Sequence, residues 1–197
     1  MINTIIFDFG GVLGTDADTI FIETLENNGF TAEKAKEIWR LHWPSLKLGS
    51  EDVDVLWRAV GEKTKTSISI IINEYNDAIA VDESVLNLCK LLRDNGYKLG
   101  ILANEAFEWM NIKRDKGRLS EVFDAVCSSA DLGIPKPDPR SYKLILDKIG
   151  SRPEETLFVD NLKRNTKAAE TLGIECIVFR DIDQLRKELK GHLIRID

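Results

Sequence analysis

The sequence is poor in the residues that staple small secreted domains or build histidine-based sites. Its three cysteines, Cys89, Cys127 and Cys176, are widely spaced and odd in number. Each lies in an apolar run: Leu88-Cys89, Val126-Cys127, Cys176-Ile177-Val178. This excludes a disulfide framework or a cysteine-bound zinc and reads as buried thiols in a reducing compartment. Histidine is rarer still, with only His42 and His192. A histidine-based metal centre or triad is therefore not expected. Positive charge is in deficit, with 27 Lys+Arg against 33 Asp+Glu and a net charge of −6. Nucleic acid and anionic membranes are disfavoured as partners. The single basic cluster, Lys113 to Arg118, is broken by Asp115 and reads as a solvated helix end. No apolar run is long enough for a membrane span or secretory leader, so a cytoplasmic location is expected. Oligomeric state leaves no mark in the sequence.

What is present is ordinary for a globular chain: 197 residues, 43% hydrophobic and 30% charged. The stretch Ile5 to Leu13 opens with an apolar run that reads as a buried parallel strand. From residue 14 to 80 the pattern is helical throughout. A first helix from Ala17 stops at Gly29, a second opens at Thr31, and a third is expected to be capped by Ser50. Ile68, Ile71, Ile72 and Tyr75 form a fourth apolar stripe. Trp39, Trp43 and Trp57 are expected in the core of this bundle. From about residue 81 strands and helices alternate, with strands near Lys98, Ala125, Thr156 and Glu175 and a helix opened by Asn165. The fold class is therefore α/β: a Rossmann-like parallel sheet of about five strands with helices on both faces. Residues 1–13 and 81–197 form its core domain. Residues 14–80 form a small helical cap inserted after the first strand, above the carboxyl edge of the sheet.

That edge is where open α/β sheets do chemistry. The first strand ends in Asp8, followed by Gly10-Gly11, which let backbone approach a ligand. The second ends in Leu102-Ala103-Asn104, the third leads into Gly133-Ile134-Pro135-Lys136-Pro137-Asp138-Pro139, and the fourth ends in Asp160-Asn161. FDFGGVL, GIPKPDPRSY and FVDN followed by Asn165, in this order, resemble the haloacid dehalogenase (HAD) superfamily of phosphohydrolases. The likeness is greatest to small sugar-phosphate phosphatases and to the phosphatase domain fused to soluble epoxide hydrolase. The resemblance implies a phosphatase that hydrolyses a small phosphorylated metabolite, a sugar phosphate above all, through an aspartyl phosphate on Asp8. It implies Mg²⁺ held by the Asp8 and Asp160 carboxylates and the Gly10 carbonyl. Lys136 would neutralise nucleophile and phosphate, and backbone N–H groups near Phe9 and Asn104 would cradle phosphate oxygens. Arg40, His42 and Trp43 of the cap are candidates for substrate contact, with Lys47 and Arg58 beside them.

Three positions depart from the family pattern. Gly10 stands where a second Asp usually acts as general acid and base. Ala103 replaces a phosphate-binding Ser or Thr, and Asn161 replaces an acidic residue near the metal. Asp16 or a cap residue could supply the missing proton. The departures keep open a non-catalytic member that binds a phosphorylated ligand or a protein partner. A 2-haloacid dehalogenase, with Arg40 as halide cradle, is the third reading.

Overall fold

The computed structural model describes residues 1–196, so the last residue of the expected 81–197 segment, Asp197, lies outside the described residues. Five parallel strands form one sheet: β1 (Thr4–Phe7), β2 (Lys98–Ala103), β3 (Ala125–Ser128), β4 (Thr156–Asp160) and β5 (Glu175–Val178), in the order β3-β2-β1-β4-β5. All four residues of β1 are buried, because it is the central strand and both faces are covered. The covering helices are α5 (Glu83–Asp94), α6 (Phe107–Gly117), the single turn α7 (Ser129–Leu132), α8 (Pro139–Ile149), α9 (Lys163–Glu170) and α10 (Ile182–Gly191). One core, including Phe7, Leu88 and Ile101, fills one side; a second, including Ile6, Tyr142 and Phe158, fills the other. Alternation of Ile6 and Phe7 between the two cores is the period of a pleated strand.

Between β1 and α5 run α1 (Ala17–Asn27), α2 (Ala32–Leu46), α3 (Val53–Gly61) and α4 (Ile68–Ala78). The chain leaves and returns through adjacent segments. Thr15 N–H donates to Ala80 O at 3.1 Å, and Asp82 N–H to Leu13 O at 2.8 Å. Thr31 caps α2, its Oγ1 accepting from Lys34 N–H at 3.3 Å. Ser50 does not cap α3 as expected. Its hydroxyl donates back to Ser45 O at 3.1 Å, and Asp52 takes the cap by accepting from Asp54 N–H at 2.8 Å. A carboxylate acceptor there complements the helix N-terminus better than a hydroxyl.

The four helices share a core rich in aromatic side chains. Trp39 and Trp57 are buried in it as expected, whereas Trp43 is only half-buried. Trp43, Trp39 and Trp109 stack in series, with centroid separations of 4.6 and 5.8 Å. Trp109 belongs to α6, so the stack ties the helical insert to the sheet side. The expected solvated cluster at the end of α6 is corrected at Lys113, which is buried and ion-paired to Glu105. Its Nζ also lies 4.6 Å from the Phe9 ring centre. Trp109, Lys113 and Gly117 recur every fourth residue and form the buried face of α6. Among the described residues, no helix is long and apolar enough to cross a membrane. Cys89 and Cys127 are buried free thiols and Cys176 is partly exposed.

Candidate active site

Strand register builds the site. Phe7 pairs with Val159 across β1 and β4, so the next residues, Asp8 and Asp160, leave the sheet side by side. Both carboxylates are buried. Lys136 Nζ lies between them, 2.8 Å from Asp8 Oδ1 and 2.7 Å from Asp160 Oδ2, and is itself buried. The lysine reaches this position because Asn104 pins its backbone. Asn104 Nδ2 donates to Lys136 O at 2.9 Å, and Lys136 N–H donates to Asn104 Oδ1 at 2.8 Å. Asn165 Nδ2 donates to both oxygens of Asp160 at 3.0 Å, and Leu162 N–H to its Oδ1 at 2.8 Å. Asn165 therefore does not open α9. It lies in the first turn and orients Asp160.

Two carboxylates and one ammonium leave an excess negative charge in a buried setting. Burial pushes the Asp8 carboxyl up to about 7; Lys136 opposes the rise and Asp160 adds to it. Asp8 Oδ1 accepts from Phe9 N–H at 2.6 Å as well as from Lys136. The expected phosphate donor at Phe9 is thus engaged by the nucleophile candidate itself. Asp8 opens on a cavity of about 300 Å³ whose walls include Gly10, Asp16, Trp39, Trp43, Lys47, Asn104, Lys136, Asn161 and Arg164. No hydroxyl side chain lines it among the described residues. The loss of a donor at Ala103 is not made good by another Ser or Thr.

Gly10 lies against the Asp16 carboxylate. A Cβ built on Gly10 collides with Asp16 Oδ1 and lies 3.5 Å from its Cγ. One on Gly11, whose φ is +69°, would collide with Asn161 Nδ2 and lie 2.9 Å from Asp16 Oδ2. Asp16 is the N-cap residue of α1 but its side chain makes no cap hydrogen bond. Its carboxylate faces the cavity instead. Burial, then the neighbouring Asp18, raises its pKa from the ordinary carboxylate value.

Helix phase sorts the other expected contacts. In α2, Trp39 and Trp43, with Lys47 directly after the helix, recur every fourth residue and line the cavity. Arg40 is one step round and exposed, outside the cavity lining. His42 is buried and bonds Glu51 through Nδ1 at 2.6 Å. Arg58 lines a separate surface hollow with Trp57 and Ile72. Sequence reasoning missed Glu105 and Arg164 as wall residues. Arg164 is the second residue of α9, four residues after Asp160, and that place directly beyond the strand end is the signal that could have found it.

The oxygen set fits a hard divalent cation. Asp8 and Asp160 supply carboxylates, and Gly10 lines the same cavity. Asn161 Oδ1 and Asn165 Oδ1 are buried without a hydrogen-bond partner, two orphaned oxygens beside those carboxylates.

The chain is similar to several known proteins. A 131-residue stretch is 30% identical to bifunctional epoxide hydrolase 2 of Rattus norvegicus, spanning 63% of this chain and 23% of that protein. Pyrophosphatase PpaX of Bacillus mycoides is 25% identical over 180 residues, 89% of this chain and 82% of its own length. A HAD family enzyme from Bacteroides thetaiotaomicron, solved with magnesium and inorganic phosphate, superposes with a TM-score of 0.78 at 22% identity, covering 94% of this chain and 99% of that one. L-2-haloacid dehalogenase of Xanthobacter autotrophicus superposes with a TM-score of 0.66 at 21% identity, over 99% and 85% of the two chains. At these identities both superpositions establish the fold. Residues 5–179 match the family described as haloacid dehalogenase-like hydrolase, and the chain belongs to that family of enzymes.

Proposed function

We propose that this chain is a Mg²⁺-dependent phosphatase acting on a small phosphorylated metabolite, with a sugar phosphate as the leading substrate class. The observation that carries the reading is Lys136 bridging Asp8 and Asp160 below an open cavity. Asp8, Asp160 and the Gly10 carbonyl would hold the ion. When bound, it offsets the charge that otherwise keeps a carboxylate and a phosphate apart.

Asp8 then attacks phosphorus while the bond to the leaving oxygen breaks, giving an acyl phosphate on Asp8. Lys136 holds the carboxylate and the transferred group by charge. The Phe9 N–H passes from the free carboxylate to the phosphoryl group, and Asn104 keeps the lysine loop in position. Asp16, in the space of the absent Asp side chain at position 10, protonates the leaving oxygen. Deprotonated, it takes a proton from the water that attacks phosphorus in the second step, which breaks the bond to Asp8 and releases inorganic phosphate and the free carboxylate. Its raised pKa favours the protonated form that the first step needs.

Residues 14–80 act as the cap in this reading, with Trp43 on the substrate side. A cytosolic setting suits the buried free thiols Cys89 and Cys127. The halide cradle that the haloacid reading expects of Arg40 is absent, because Arg40 is exposed outside the cavity lining. In a non-catalytic member the buried Lys136 would serve stability alone, and turnover separates the two readings. The test is a screen over phosphorylated metabolites and p-nitrophenyl phosphate with Mg²⁺, against an Asp8→Asn control. Turnover well above that control is expected; turnover equal to it contradicts the proposal.

A further inference from the structure

Two cations meet at the cavity that Asp8 opens on. Lys47 comes from the end of α2 and Arg164 from the first turn of α9, and both line it. Among the described residues neither has a carboxylate within ion-pair distance, although the chain is acidic overall. Asp18, on the wall of the same cavity, pairs with neither; its Oδ1 accepts from Thr19 N–H at 2.9 Å. Lys47 is half-buried, and both burial and the Arg164 charge lower its pKa. Two like charges on the wall of one cavity, with no carboxylate paired to either among the described residues, repel unless an anion joins them. The stacked Trp39–Trp43 pair borders the same space and can cover an apolar or ring-shaped linker.

We infer that Lys47 and Arg164 form a second anion subsite, selecting phosphomonoesters whose other end carries a carboxylate or a further phosphate. The inference rests on the phosphatase reading for the position of the first phosphate. It narrows the substrate class to dianionic-ended metabolites. Because one cation sits on the insert and one on the sheet side, such a substrate bridges the two. A neutral-tailed ester cannot.

The test uses Mg²⁺-loaded Asp8→Asn protein and calorimetric titration. The probes are straight-chain alkyl phosphates, the same chains ending in carboxylate, and the same chains ending in a second phosphate, each over increasing length. At a length that spans the cavity, a charged-ended ester should bind at least about tenfold tighter than its methyl-ended partner. Comparing the two charged series separates carboxylate from phosphate selection. That ratio should fall to near one when Lys47→Gln or Arg164→Gln is added; these changes keep part of the aliphatic stem, and melting curves check the fold. A ratio near one at every length, or a ratio unmoved by both substitutions, overturns the subsite. If the ratio holds while wild-type protein hydrolyses none of the esters, the subsite stands and the phosphatase reading falls.

Discussion

Asp16 occupies the volume that a side chain on Gly10 would need. The carboxylate missing from the first motif is thus returned to the cavity from six residues further along the chain. The residue that should cap α1 makes no side-chain cap bond and lines the cavity instead.

Removing Asp16 should therefore bite hardest where the leaving group is poor. Asp16→Asn should lower kcat on alkyl phosphates by about 10²–10⁴-fold, while p-nitrophenyl phosphate is much less affected. Plotted against leaving-group pKa, wild-type rates should be nearly flat and the variant's steep. Equal slopes would remove Asp16 from the proton transfer. A companion measurement follows from the collision itself. Gly10→Asp alone should destabilise the protein, and Gly10→Asp combined with Asp16→Gly should recover both melting temperature and turnover.

Metal-free stability should depend on pH through Asp8. Its folded pKa is raised from 3.8 to about 7, so the folded state holds the proton more tightly than the unfolded chain. The stability contributed by the neutral carboxyl is complete below about pH 4 and is lost as pH rises through about 7. In chelator, Asp8→Asn should melt above wild type near about pH 8, and the gain should shrink as pH falls and vanish only near about pH 4. A constant difference across that range would contradict the assignment. Mg²⁺ should raise the wild-type melting temperature more than that of Asp8→Asn.

Lys136→Met leaves Asp8 and Asp160 buried together without their cation. Loss of one partner from such a buried network costs about 3–5 kcal/mol. Denaturant titration should show that loss together with abolished turnover. Full stability with Lys136→Met would show that one carboxyl is already protonated at the assay pH.

The tryptophans should separate by role. Trp39→Ala removes a buried indole from the insert core and should cost about 3–5 kcal/mol. Trp43→Ala, at a half-buried wall residue, should cost less stability but raise KM. The reverse ranking would move the substrate away from this wall.

Much of this site was legible in the sequence because parallel strands announce themselves. A central strand is an apolar run, and Asp8 and Asp160 are polar residues directly at the ends of two such runs. Their adjacency followed from topology. Lys136 was legible only through its motif. The Asp16–Gly10 relation was not, since it depends on where an N-cap side chain turns. Lys113 was misread because a basic cluster says nothing of facing. Its fourfold phase with Trp109 and Gly117 was the overlooked signal. The same kind of phase separates Trp43 and Lys47, on the cavity wall, from Arg40 and His42.

The central claim is a phosphoryl group carried on Asp8. Wild-type protein with Mg²⁺ and p-nitrophenyl phosphate should be acid-quenched within the first turnover and its β1 peptide weighed by mass spectrometry. The account predicts one phosphoryl adduct on Asp8, released by hydroxylamine and absent from Asp8→Asn. Release of inorganic phosphate with that peptide unmodified throughout would contradict it.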